Sequence, residues 1–162
     1  MNARDENGVT PLHLASSGRK AELLLAHGAD VNARDRYGTT PLHHAVSCGF
    51  KDVVAVLLAH KADVNARDSN GNTPLLINDS YTDIARLLLA AKADVNARGN
   101  EGKTRLYESA YFGNKEMVAL LLAHGANVNA RDNNGRTPLD AADEDPHNQG
   151  VVELLRQHGG QE

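Results

Sequence analysis

The feature that most constrains the fold of this chain is an internal repeat of 30 to 33 residues. The tetrapeptide NARD occurs at 2–5, 32–35, 65–68 and 129–132, and NARG occurs at 96–99. Each tetrapeptide is followed by a glycine and, two residues later, by a threonine. These pairs are Gly8 and Thr10, Gly38 and Thr40, Gly71 and Thr73, Gly102 and Thr104, and Gly135 and Thr137. Self-similarity at this period predicts an array of small structural units.

The chemistry of one copy predicts a turn followed by two helices. The glycine can adopt a positive φ in a tight turn, and Thr-Pro places a hydroxyl at an N-cap with proline at the first helical position. We therefore expect a helix to begin at each of the five threonines. Valine and leucine at helical spacing predict a second helix near 51–60 and near 115–124, and Gly125 suits a left-handed stop. Such short helices bury their apolar faces only by stacking copy on copy.

The motif TPLH at 10–13 and 40–43, the ending LLLAHGADVNA at 23–33 and the period near 33 resemble the ankyrin repeat family. The resemblance extends over 5–160. It implies an all-α ankyrin-repeat solenoid of stacked helix-turn-helix units with β-turn or loop tips, whose turn tips and first helices line a concave face that usually binds other proteins. It implies no catalytic residues. We expect a single domain over 1–162, with repeats at 1–34, 35–67, 68–98, 99–131 and 132–162.

Composition narrows the classes of function. Aromatic residues make up only 4% of the chain, which suits a helical fold better than a sheet core. The net charge of −4, with basic residues dispersed among acids, argues against nucleic acid as a partner. The longest apolar runs, 53–59 and 117–123, are too short to cross a bilayer, and the acidic start MNARDENG is unlike a secretory signal. The single cysteine forms no internal disulfide, so we expect a cytoplasmic protein.

The copies differ in length across the connection between their helices. The helix-start threonine precedes the aligned leucine run by 13 residues in the first copy and by 14 in the third, against 16 or 17 elsewhere. We expect clipped connections at 16–21 and 78–83. The glycine that usually stops the second helix is replaced by Lys61 and Lys92, and a left-handed lysine costs about 1 kcal/mol relative to glycine.

The eight histidines and Cys48 raise questions of metal binding and catalysis. By the resemblance, His13 and His43 are structural groups that tie neighbouring turns, and the histidines that end second helices are about 8–10 Å apart, too far to share a zinc ion. His44 and Cys48 are four residues apart on one helix face and so form a candidate nucleophile pair. We expect no metal, no cofactor and no catalytic residue.

Two further side chains recur in the loops between copies. An asparagine, at positions 32, 65, 96 and 129, is expected to order the loop. An arginine follows it at 34, 67, 98 and 131, next to an aspartate except at Gly99. Exposed pairs of this kind contribute about 0–1 kcal/mol each, so we interpret the arginines as a solvated charged edge.

The resemblance also nominates contact residues, at the turn tips and at the exposed ends of the first helices. Those predicted to bind a partner are Arg36, Tyr37, Thr39, Ser47, Cys48, Ser69, Asn70, Asn72, Lys103, Tyr107, Tyr111, Phe112 and Arg136. Three of the six aromatics in the chain, Tyr37, Tyr111 and Phe112, occupy such positions. The fourth copy reads TRLYESAYF at 104–112, where Arg105 replaces the proline and Tyr107 the histidine. Interfaces concentrate binding energy in aromatic and arginine anchors, which favours a contact surface here.

The sequence predicts a non-enzymatic module that binds another protein through this face. Two alternatives remain open. The chain could be an architectural segment of a longer solenoid that self-associates weakly through its first repeat, which lacks a covering helix. It could also be a thiol-dependent enzyme that uses Cys48 and His44.

Overall fold

The computed structural model describes residues 2–78 and 81–161 of the chain. Within them the protein contains eight α-helices, one short 3-10 helix and no strand. The helices are α1 (Gly18–Ala26), α2 (Pro41–Ser47), α3 (Lys51–Ala59), α4 (Thr82–Ala90), α5 (Arg105–Tyr111), α6 (Lys115–Ala123), α7 (Pro138–Ala142) and α8 (Gln149–Gln157), with the 3-10 helix at Pro146–Asn148. The all-α repeat class predicted from the sequence is confirmed. None of these helices is both long and apolar enough to span a membrane.

The chain divides into two compact units, Met1–Ala93 and Asp94–Glu162. In unit 1, α3 packs against α1, α2 and α4. The apolar side chains that meet there include Val53, Val54 and Leu57 of α3 and Ile84 and Leu88 of α4, each at most 1% exposed. Burial of this kind stabilises by about 25 cal/mol per Å² of apolar surface, and α3 buries its apolar face only because its three neighbouring helices are present.

In unit 2, α5 packs against α6 and α7, and α8 packs against α6 and α7. Leu106 of α5, Leu121 of α6, Leu139 of α7 and Leu155 of α8 lie in this core and are at most 2% exposed. Two first helices, α5 and α7, therefore lie side by side, and the second helices α6 and α8 lie side by side beneath them.

The prediction that a helix begins at every repeat threonine is correct at Thr40, Thr104 and Thr137 and wrong at Thr10 and Thr73. After the latter two the chain forms only short turns, 11–14 and 74–77. The missing residues of the short copies are therefore taken from the first helix itself, whereas the sequence placed the loss in the connection. The second helices α1 and α4 keep nine residues each. Of the predicted clip at 78–83, residues 79 and 80 lie outside the described residues.

The ends of the helices follow the predicted capping chemistry. Thr40 and Thr137 cap α2 and α7 with their hydroxyls, and each helix has proline at its first position. Thr104 caps α5 although Arg105 replaces the proline, so the helix of the divergent fourth copy still forms. Lys61 and Lys92 adopt φ of 64° and 70°, the left-handed conformation for which the sequence implied a cost. They occupy the left-handed position that Gly28, Gly125 and Gly159 fill in other copies.

Side-chain amides join each loop to the next. In unit 1, Asn2 donates to the Gly28 carbonyl at 3.1 Å and accepts from the Asp30 amide at 2.9 Å. In unit 2, Asn129 donates to the Gly159 carbonyl at 3.0 Å and accepts from the Gln161 amide at 2.8 Å. The expected loop-ordering role of the repeated asparagine is confirmed.

The repeated arginines lie exposed, as the sequence predicted, but they also bind backbone carbonyls. Arg34 donates to the Gly38 carbonyl at 3.1 Å and to the Arg67 carbonyl at 2.7 Å. Arg98 donates to the carbonyls of Gly102 and Arg131. The guanidinium groups of Arg34 and Arg98 therefore link their own turn to the following copy, because their several N–H donors reach two carbonyls at once.

Candidate functional site

The turn tips of unit 1 are rigid. Asp35 Oδ1 accepts from the amides of Tyr37 at 2.8 Å and Thr39 at 2.9 Å. Asp68 accepts in the same way from Asn70 and Asn72. Backbone bonds of 2.8 Å link successive tips, from the Arg36 amide to the Asn7 carbonyl and from the Ser69 amide to the Tyr37 carbonyl. Side chains at these tips are thus presented from an ordered backbone.

Tyr37 is the most exposed aromatic side chain among the described residues of unit 1. It is 60% exposed, and the Arg36 guanidinium carbon lies 5.2 Å from the centre of its ring. Arg36 also donates to the Asn7 side chain. Ser47, Cys48, Ser69 and Asn70 are exposed, whereas Thr39 and Asn72 are half-buried. We call these eight predicted contact residues of unit 1, Arg36, Tyr37, Thr39, Ser47, Cys48, Ser69, Asn70 and Asn72, the Tyr37 surface.

Two buried histidines hold the backbone beneath the Tyr37 surface. His13 Nε2 lies 3.0 Å from the Thr39 carbonyl, and His43 Nε2 lies 3.1 Å from the Asn72 carbonyl. Because a carbonyl only accepts, Nε2 of each ring carries the proton. Nδ1 of His13 accepts from the Thr10 amide at 3.1 Å. Burial lowers the pKa of both histidines, chiefly by disfavouring the charged ring.

The side chains of the candidate nucleophile pair, His44 and Cys48, are not hydrogen-bonded to each other in the described part of the chain. Cys48 is exposed at the C-cap of α2. His44 Nε2 lies instead 3.4 Å from Asp35 Oδ2, and its ring meets that of His13 edge to face at 5.2 Å. Among the described residues no hydrogen bond joins the His44 ring to Cys48. Asp35 therefore orients His44 toward the turn tip.

In unit 2, α5 carries the divergent sequence TRLYESAYF. Tyr107 is buried, 4% exposed, with the Lys103 ammonium 5.6 Å from the centre of its ring. Burial raises the pKa of the Tyr107 phenol. Lys103 also pairs with Glu101 at 2.6 Å. Tyr107 therefore supports the surface from below and offers little of its ring to a partner, which sets it apart from the other predicted contact residues.

Tyr111 and Phe112 lie at the C-terminal end of α5 and are 46% and 72% exposed. Their rings meet edge to face, with centroids 5.1 Å apart and planes at 80°. Both rings therefore lie at the surface and neither is packed into the core. With Lys103 and Arg136 they form what we call the Phe112 surface.

The position of the aromatic pair is fixed by Asn148. This buried side chain donates to the Tyr111 carbonyl at 3.0 Å and to the Ala110 carbonyl at 3.4 Å, so it satisfies the end of α5. Gly113 follows at φ 68°, and an added Cβ would lie 2.0 Å from Asn148 Oδ1. The chain therefore leaves α5 in one direction, with the two rings turned outward.

The sequence did not nominate two acidic residues that border the aromatic pair. Glu144 and Asp145, in the loop after α7, line one hollow with Tyr111 and Phe112. Glu144 pairs with Arg136, and the pKa of the Arg136 guanidinium is raised first by that hydrogen bond. The acidic run DED at 143–145, in the copy with the longest connection, is the sequence signal that could have identified them.

Apart from the buried Tyr107, the predicted contact residues fall into the two groups defined above, one in each unit. No group of three or more His, Cys, Asp or Glu side chains comes together as metal ligands in 2–78 and 81–161. Of the large exposed apolar residues, Leu14 and Leu23, at 61% and 59%, were not predicted as contacts.

Comparison with known proteins returns one family. The family model described as ankyrin repeats (3 copies) matches residues 1–68, 21–98 and 74–162. A search of curated proteins finds no match.

Proposed function

Because this chain belongs to the ankyrin repeat family, whose members are generally protein–protein interaction modules, we propose that it is a non-enzymatic module that binds another protein through the Tyr37 and Phe112 surfaces. The observation that carries the proposal is the exposure of Tyr37, Tyr111 and Phe112, three of the six aromatics in the chain. Exposed aromatic side chains on an ordered backbone supply contact area at low entropic cost, as binding anchors do.

The surroundings of the anchors support this proposal. Arg36 beside Tyr37 and Arg136 near the aromatic pair add donors of the kind enriched in interfaces. Ser69, Asn70 and Asn72 add small polar groups to the Tyr37 surface. Because Tyr107 is buried, we assign it no direct contact with the partner; its ring only supports the Lys103 side chain.

The proposed function is tested by affinity capture with a matched surface control. The test variant is Tyr37→Ala/Tyr111→Ala/Phe112→Ala, and the control is Leu23→Ala, which removes exposed apolar area elsewhere. We expect the parent and the control to capture the same proteins, and the test variant to lose those proteins. Circular dichroism checks that both variants remain helical. Equal capture by all three proteins would overturn the proposal.

One observation favours a second function, weak self-association through the first repeat. Leu14 is 61% exposed beside a largely apolar hollow of about 430 Å³ that Val9 and Pro11 also line. Large exposed apolar patches mark association sites. Sedimentation equilibrium distinguishes this function: a dimer that disappears in Leu14→Ser supports it, and a monomer at all concentrations rejects it.

A further inference from the structure

The strongest unassigned feature of the molecule is the open hollow of about 450 Å³ lined by Tyr111, Phe112, Glu144 and Asp145. All four residues lie in unit 2. Two come from the end of α5 and two from the loop that follows α7, the helix packed against α5. The hollow therefore combines aromatic rings on one side with carboxylates on the other.

The aromatic side of the hollow is preorganised. The two rings contact each other edge to face, and Asn148 holds the backbone that carries them. The face of an aromatic ring is the negative end of its quadrupole, so a cation placed over it is attracted. Such a contact needs little reordering of the rings when a ligand arrives.

On the acidic side, each of the two carboxylates has one oxygen that is already bonded. Glu144 binds Arg136 through Oε1. Asp145 Oδ1 accepts from the His147 amide at 2.9 Å and lies 2.8 Å from His147 Nδ1. Within the described residues Asp145 Oδ2 accepts no hydrogen bond. The His147 amide lowers the pKa of Asp145, which keeps the carboxylate ionised at neutral pH.

The distribution of charge along the chain favours a cationic ligand for unit 2. Residues 1–93 contain ten acidic and ten basic side chains, whereas residues 94–162 contain eleven acidic and seven basic ones. The whole net charge of −4 therefore belongs to the part of the chain that carries the hollow. An uneven field of this kind accelerates the approach of a positively charged partner.

We propose that the hollow binds the guanidinium of an arginine side chain on an extended segment of the protein partner, with Tyr111 and Phe112 against its plane and Asp145 Oδ2 accepting its N–H groups. Arginine fits better than lysine because a planar guanidinium both stacks on rings and presents several donors to one carboxylate. The inference rests on the proposed function, because it assigns a ligand to part of the Phe112 surface.

The probe is an end-blocked peptide, GSLRLSG, compared with the same peptide in which citrulline replaces arginine. Citrulline keeps the shape and removes the charge. Amide NMR titration of the intact protein should give shifts at residues 111, 112 and 145 with the arginine peptide. We expect the citrulline peptide to bind at least about fivefold more weakly, in line with cation–π and charged hydrogen-bond strengths.

Two protein variants test the role of Asp145. Asp145→Asn should weaken the arginine peptide at least about threefold and leave the citrulline peptide unchanged, as expected for a charged acceptor. Glu153→Gln is the control, because it removes one exposed negative charge on α8 and should have no effect. Both variants should keep the amide spectrum of the parent outside the altered position.

Three outcomes overturn the inference: equal affinity of the two peptides, equal effects of Asp145→Asn and Glu153→Gln, or no shift at residues 111 and 112 up to about 5 mM peptide, the weak end of measurable affinity. These failures are distinct from failure of the proposed function. If the triple aromatic variant loses a captured partner and Asp145→Asn keeps it, the proposed function stands. The inference that an arginine binds the hollow is then rejected. If capture of the partner is unaffected by loss of the aromatic residues, the proposed function is rejected even where the arginine peptide binds.

Discussion

At the scale of single residues, the side chain three positions after the threonine binds the buried hydroxyl at Thr10, Thr40 and Thr137 but not at Thr73. Thr10 and Thr40 lie within 2.9 Å and 2.8 Å of a histidine Nδ1, and Thr137 donates to Asp140 at 2.9 Å. Thr73 faces Leu76 in the corresponding place, and its hydroxyl is buried without a hydrogen-bond partner in the described part of the chain. An unsatisfied buried hydroxyl costs about 1–3 kcal/mol.

We expect Thr73→Val to raise the free energy of unfolding by about 1 kcal/mol, because valine keeps the shape and removes the unsatisfied group. Thr40→Val is the matched control and should lower it by about 1–2 kcal/mol, since Thr40 contacts His43 and caps α2. Urea denaturation followed by circular dichroism measures both. Equal effects of the two changes would show that the pairing of the hydroxyl does not matter.

At the scale of elements, the ends of α3 and α4 carry conformational strain. Lys61 and Lys92 are left-handed, whereas an added Cβ at Gly28 or Gly125, the corresponding positions, meets no atom within 4 Å. The cost at the lysines is therefore that of the backbone conformation and not of crowding.

We expect Lys61→Gly to stabilise the protein by about 1 kcal/mol, because glycine has no steric penalty at positive φ. Lys61→Ala removes the same charge and keeps a Cβ, so it should give no gain. Midpoints of denaturant unfolding compare the two variants with the parent. A gain from alanine as large as that from glycine would assign the effect to charge.

The buried histidines that link the turns of unit 1, His13 and His43, should make the free energy of unfolding depend on pH. The folded pKa of His13 and His43 lies below the unfolded value, so the unfolded chain binds more protons in the interval between the two values. The contribution of these two histidines to stability is thus fully present above about pH 6.5, the ordinary histidine pKa. It is lost as the pH falls through their folded pKa.

His43→Gln tests this dependence. Because it disrupts buried hydrogen bonds, it should lower the free energy of unfolding at pH 7.5 by about 1–3 kcal/mol. The loss of stability between pH 7 and pH 5 should be smaller in the variant than in the parent. His27→Gln, which alters an exposed histidine that contacts a backbone carbonyl, is the control and should keep the parental pH profile. A variant that keeps the full parental slope would assign the slope to other groups.

The sequence predicts elements here better than it predicts contacts. Local chemistry accounts for the threonine caps, the left-handed lysines and the second helices. The predicted bounds of the second helices are correct to within a residue at α3 and α6. The lost first helices after Thr10 and Thr73 were missed because spacing alone does not show which segment absorbs a deletion. Glu144 and Asp145 were missed because their position depends on the packing of α5 and α7 and on the anchoring of Asn148.

At the scale of the whole molecule, side chains that bind backbone groups hold the repeated loops and turns. Asparagines and arginines bind carbonyls of the next copy within each unit. Tyr37, Tyr111 and Phe112 make no comparable link and remain exposed. The same repeat can therefore keep its scaffold while its contact residues change, which is why the family supports many different partners.

The most direct test of the proposed binding role is photo-crosslinking from single positions in cells of the source. A photoreactive phenylalanine analogue is placed at Tyr37, at Tyr111 or, as a control on another exposed surface, at Leu23. The account predicts one common partner protein crosslinked from positions 37 and 111 and not from 23. Crosslinks to a common protein from position 23 alone would contradict it.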